Sequence, residues 1–132
     1  MMNMNADIEK YIIKTFVKKE KQERIIWELQ NPQKRDAVFW RFSGPNLFKE
    51  QYIQPFPPST TSLTETALLK MGCKQTVYFL GESFIGELSL KQAIEKANIG
   101  ERCIIYCREG VCYYQGEREL GNAPKCFLIH NK

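Results

Sequence analysis

The sequence predicts an α+β domain in which N-terminal helices pack on a mixed four-stranded sheet of order β-α-β-β-β. Three observations lead there. Apolar residues before position 53 recur at helical spacing, β-branched and aromatic runs dominate after position 75, and Pro55, Pro57 and Pro58 separate the two regimes. A chain of 132 residues is about one domain in size and buries roughly two-thirds of its unfolded surface, enough for a core without metals or disulfides. A single domain over residues 1–132 is therefore expected, with a helical segment over 1–53, a Pro-rich connector over 54–61 and a sheet-forming segment over 62–132.

The first element follows from Ile8, Ile12 and Phe16, spaced i, i+4, i+8 with Tyr11 beside them, which is one helix face. Asn5 or Asp7 is placed to cap it. Lys18-Lys19-Glu20-Lys21 interrupts the apolar pattern, and Ile25, Ile26 and Leu29 set a second stripe with Trp27 nearby. Asn31-Pro32 ends that helix and suits the start of another. Val38, Phe39 and Phe42 fit a helical face closed by Gly44. The same residues alternate well enough for a strand, so residues 38–42 stay open between the two.

The connector Gln54-Pro55-Phe56-Pro57-Pro58 neither continues a helix nor donates to a sheet ladder. Pro55 and Pro58 have PxxP spacing, but a stiff linker is the simpler reading of so short a segment. Thr61 or Ser62 can cap a helix carrying Leu63, Ala67 and Leu68, with Gly72 past its end. Residues 76–80, TVYFL, read as a strand. Ser89-Leu90-Lys91-Gln92 is a capping box opening a helix with Leu90, Ala93, Ile94 and Ala97 on one face. Residues 102–107 and 111–115 flank Arg108-Glu109-Gly110, a hairpin loop with Gly110 in the left-handed position. Gly121-Asn122-Ala123-Pro124 is a further turn, and 125–130 a last strand. Because a helix joins 76–80 to 102–107, those strands are expected to be parallel with a right-handed crossover.

Composition narrows the function class. With 43% hydrophobic residues and a net charge of +4, the chain is neither disordered nor strongly basic. The charge excess is N-terminal, ten Lys/Arg against seven Asp/Glu in residues 1–60. No apolar run approaches the ~20 residues of a membrane helix, and the first seven residues lack the regions of a signal peptide, so a cytoplasmic protein without membrane contact is expected. The five cysteines, Cys73, Cys103, Cys107, Cys112 and Cys126, are odd in number and sit in apolar runs, which suits reduced core thiols. If one pair bridges, Cys107 and Cys112 are expected to meet across the hairpin.

Cys103, Cys107, Cys112, Cys126 and His130 are zinc-ligand types. Four residues along a strand span about 13 Å, however, so neither Cys103 with Cys107 nor Cys126 with His130 can chelate locally, and no metal is expected. A cysteine nucleophile needs a base, and the only histidine, His130, lies near the chain end. Gly81-Glu82-Ser83-Phe84-Ile85-Gly86 has one residue too many for a nucleophile elbow. No phosphate-binding glycine motif is present. No catalytic residue and no cofactor are therefore assigned, which favours a non-enzymatic binding or regulatory domain acting on a protein partner.

Toxin-neutralising immunity proteins and adaptors belong to that class, although immunity proteins against nucleases tend to be acidic. A nucleic-acid-binding domain using the basic N-terminal helices is the first alternative, and a small enzyme using Cys or Glu the second. Candidate binding residues are Tyr113, Tyr114, Glu117 and Arg118 on and beyond the central hairpin. Tyr113 and Tyr114 must face opposite sides of the sheet, and the plainer reading of both is a strand buried on two sides. Trp40 and Arg41 complete the set, a basic-aromatic pair of the kind that contacts proteins or single-stranded nucleic acid. Oligomeric state is not encoded in any of these features.

Overall fold

A computed structural model describes residues 5–42, 45–55, 60–116 and 125–130. The N-terminal stripes fold as α1 (Ala6–Phe16), α2 (Lys19–Gln30) and α3 (Arg35–Arg41). Asn5 caps α1, its side chain accepting from the Ile8 N–H. The break before α2 falls where Val17 leaves the helix to bridge Phe48. The Asn31 side chain accepts from the Gln33 N–H at 3.1 Å, an Asx turn that ends α2. The segment left open by its sequence is helical through Arg41, and Val38, Phe39 and Phe42 all enter one buried cluster.

The second half contains β1 (Ile53–Pro55), α4 (Thr61–Lys70), β2 (Thr76–Gly81), β3 (Ile85–Ser89), α5 (Leu90–Asn98), β4 (Cys103–Arg108), β5 (Val111–Gln115) and β6 (Lys125–Ile129). The fold is α+β, but the expected mixed four-stranded sheet is corrected to six strands in the order β1-β6-β5-β4-β2-β3. Every neighbouring pair is antiparallel. The difference has one main source. Gly81 to Phe84 closes a tight turn, the Gly81 N–H donating to the Phe84 carbonyl at 3.0 Å, and β2 folds straight back as β3. Helix α5 therefore leaves from β3 and not from β2, and β4 returns antiparallel to β2. No parallel crossover is needed.

The other added strand is β1, which ends on Pro55. Proline cannot donate to a ladder and is tolerated on an edge strand, and β1 lies at the sheet edge against β6. Thr60, one residue before the expected cap, accepts from the Leu63 N–H to start α4. The capping box at α5 forms as its sequence implies, Ser89 and Gln92 each bonding the other's backbone. Gly110 has φ +87°, and a Cβ there would stand 2.9 Å from the His130 carbonyl oxygen. The expected turn at 121–124 lies outside the described residues.

Strand alternation sorts the sheet residues into two cores. Tyr78, Leu80, Ile104, Cys112, Tyr114, Cys126 and Leu128 face the N-terminal helices and meet Ile12, Phe16, Ile25, Phe42 and Phe48. Val77, Phe79, Cys103, Ile105, Tyr113 and Phe127 face Leu68, Leu90, Ala93, Ile94 and Ala97 of α4 and α5. The result is three layers, helices on both sides of an antiparallel sheet.

Two buried carboxylates hold the short helix α3, too short to be stable alone. Arg35 donates to both oxygens of Glu9 on α1, at 3.0 and 2.8 Å. Arg41 does the same to Glu28 on α2, both bonds at 2.8 Å. Glu9 and Glu28 are only 3% and 2% exposed, so both charges depend on these two-pronged bonds. The Tyr78 hydroxyl on β2 also donates to Glu9, which ties the helical layer to the sheet.

Candidate recognition surface

Trp40 lies near the C-terminal end of α3, on the side away from Phe39 and Val38, and is 70% exposed. The helix spacing that buries its neighbours turns it outward. The guanidinium of Arg102 lies 4.9 Å from the centre of its ring. Arg102 is held by Glu82 in the β2–β3 turn, its Nε and Nη2 donating to the two carboxylate oxygens at 2.9 and 2.7 Å. This bond holds the Glu82 carboxyl below its ordinary range. Trp40 thus stands over a cation whose own position is set by a turn of the sheet.

Beside it, Lys21, Ala37, Trp40, Arg41, Asn46 and Leu47 line a groove of about 550 Å³. Arg41 holds Glu28 and Arg102 holds Glu82, so both arginines are largely neutralised where they stand. The Arg41 hydrogen bond is the main reason the Glu28 carboxyl sits below its ordinary range, against the opposing effect of burial. Lys21 is exposed and pairs with no carboxylate among the described residues. A second exposed tryptophan, Trp27 on α2, stacks on Arg24 at 5.4 Å and borders a groove with Glu20 and Glu23.

The remaining candidates are placed differently. Tyr113 and Tyr114 do point to opposite faces, and both are buried, 1% and 0% exposed. The Tyr114 hydroxyl donates to the Phe42 carbonyl, and Tyr113 packs on Phe127 at 6.2 Å. Both act in the cores. Glu117 and Arg118 lie outside the described residues. Of the six candidates, the structure brings Trp40 and Arg41 together at one groove.

Four cysteines are sealed in the cores: burial pushes the Cys126 thiol up to about 12 and raises the Cys103 and Cys112 thiols as well. Cys107 rises as well, first through the neighbouring Cys73 and then by burial. Cys103 and Cys107 face α4 and α5, whereas Cys112 and Cys126 face the opposite layer. Among the described residues no three of His, Cys, Asp and Glu gather as metal ligands. His130 stacks on Tyr52 with ring centres 4.8 Å apart. Ser83 sits in a strand-to-strand turn, its hydroxyl and N–H both bonded to Glu101. No described helix is long and apolar enough to cross a membrane.

Arg102, Glu82 and Lys21 were not singled out by the sequence, because what brings them to Trp40 is tertiary: the sheet order for Glu82 and Arg102, and the packing of α2 against α3 for Lys21. Arg24 and Trp27 carried a usable signal, an i, i+3 pair on one helix face. Comparison with protein-family descriptions, curated proteins and solved structures finds no match for this chain.

Proposed function

We propose that this chain is a non-catalytic binding domain that engages a protein partner through the groove beside Trp40. The supporting observation is an exposed tryptophan stacked on a clamped arginine at the edge of a 550 Å³ groove. Tryptophan and arginine dominate the energetics of protein interfaces, and a side chain already ordered by stacking loses less freedom on binding. The groove asks for an apolar side chain against Leu47, Ala37 and the Trp40 ring, next to a carboxylate that meets Lys21. A nucleic-acid strand is the second reading, favoured by the exposed ring beside Lys21 and Arg41. It ranks lower because phosphate binding draws on uncompensated cations, and both arginines here already hold carboxylates.

The test is selection of a displayed random-peptide library on the intact protein, with titration of a single-stranded oligonucleotide in parallel. Enriched peptides should pair an apolar anchor with Asp or Glu, and should weaken at least tenfold on Trp40→Ala and on Lys21→Glu. Binding indifferent to both substitutions would refute the reading. Steeply salt-dependent oligonucleotide binding that is lost in Trp40→Ala would transfer the groove to the second reading.

A further inference from the structure

The buried Glu9–Arg35 pair also lines a cavity of about 320 Å³ between α1, α2 and the start of α3. Ala6, Ile26, Leu29 and Pro32 give this cavity an apolar lining. Lys10 and Gln30, both exposed, stand at its rim. The volume lies at the small end of ligand pockets, which run from about 300 to 1,000 Å³ and combine apolar walls with a few polar groups that fix orientation.

The polar group here is a guanidinium with one edge left over. Arg35 Nη1 donates to Glu9 Oε1 at 3.0 Å and to the Leu29 carbonyl at 2.6 Å, and Nη2 donates to Glu9 Oε2 at 2.8 Å. A guanidinium has five N–H groups, so one on Nε and one on Nη2 remain. Neither has an acceptor among the described residues. These two point the same way, the fork that fits a carboxylate with two parallel bonds. The same chain uses that edge twice elsewhere: Arg41 holds Glu28, and Arg102 holds Glu82, each through Nε and Nη2. In Arg35 the edge has no carboxylate of its own.

Charge fixes the sign of what fits. Glu9 is satisfied by Arg35 and by the Tyr78 hydroxyl, so it asks for no cation from a ligand. Lys10 pairs with no carboxylate among the described residues. The lining therefore carries one net positive charge, Arg35 and Lys10 against Glu9. We propose that this cavity binds a small apolar monocarboxylate, its carboxylate on the Nε–Nη2 edge of Arg35 and its body against Ile26, Leu29, Ala6 and Pro32. Lys10 offsets the repulsion between the incoming carboxylate and Glu9. The site is separate from the groove beside Trp40 and does not depend on that reading.

The experiment titrates the intact, 15N-labelled protein with octanoate and with 2-naphthoate, and in parallel with octanamide, acetate and a short peptide ending in a free leucine carboxylate. At least one of the two acids should saturate at millimolar concentration and shift the Arg35 Nε–H resonance together with the amides of Ala6, Lys10 and Ile26. Octanamide, which lacks the charge, and acetate, which lacks the apolar body, should bind at least tenfold more weakly than that acid. Lys10→Glu should weaken the acid at least tenfold, and its position on an exposed helix face leaves the fold intact. Failure of both acids to saturate would overturn the proposal. So would equal binding of octanamide, shifts centred on Trp40 and Lys21, or binding of the peptide alone. The titration of the unsubstituted protein decides the matter whatever the variant does.

Discussion

Replacing Arg35 with methionine should strand a charge in the core. Glu9 is 3% exposed and is bonded by both terminal nitrogens of Arg35 and by the Tyr78 hydroxyl. In Arg35→Met only the tyrosine bond remains of these three. Breaking one side of a buried ion pair costs about 3–5 kcal/mol. The Arg35 side chain is 14% exposed, so some water reaches the pair and the lower end, about 3 kcal/mol, applies. Against a net stability of about 5–15 kcal/mol that is a large share, and for a chain of this size it corresponds to a fall of roughly 10 °C in Tm. The Glu9→Gln, Arg35→Met double variant removes the stranded charge and keeps an acceptor for Tyr78. It should regain about 2 kcal/mol, read as coupling in a double-mutant cycle by urea denaturation. A single-variant cost under about 1 kcal/mol with additive effects would mean that the pair behaves as a solvated surface contact, and the buried-charge reasoning would fall.

Three further outcomes are expected. Glu28 has a carboxyl lowered in the folded state, chiefly by the Arg41 hydrogen bond, below an ordinary value of 4.5; its contribution is therefore complete above that value and is lost as pH falls through the folded one. Glu28→Gln should flatten that acid limb in a series of urea midpoints, and an unchanged limb would contradict the assignment. Ser89→Ala removes one half of the capping box on α5 and should cost about 1 kcal/mol; a change below a few tenths in the same assay would show the cap to be idle. The fragment 53–132 uncovers the sheet face that carries Tyr78, Leu80, Ile104, Tyr114 and Leu128. Exposing even about 400 Å² of it forfeits roughly 10 kcal/mol, so the fragment should show no cooperative thermal transition, and a melt near the midpoint of the intact protein would make the two halves separate domains.

What could be read from the residues divides along a physical line. The i, i+4 stripes of α1, the capping box of α5 and the left-handed glycine of the β4–β5 turn are local, decided within a few residues, and the structure has them where the pattern implies. β3 was missed because its five residues, Ile85-Gly86-Glu87-Leu88-Ser89, hold a glycine and run straight into the α5 cap, so the β signal is diluted and the helix signal dominates. That omission alone turned an antiparallel return into an expected parallel crossover. β1 was missed because a proline-rich stretch reads as a linker, although proline at the end of an edge strand violates nothing.

The same division explains which site residues were legible. Trp40 was visible as an aromatic beside basic residues, yet its helix also carries Val38 and Phe39, and only the direction of each side chain separates core from surface. Tyr113 and Tyr114 show the converse. Alternation correctly sends them to opposite faces, but with helices on both sides of the sheet, opposite faces are two interiors. Large exposed side chains on this fold therefore come from the outer faces of helices and from the turns at the sheet ends, which is where Trp27, Trp40 and Glu82 lie.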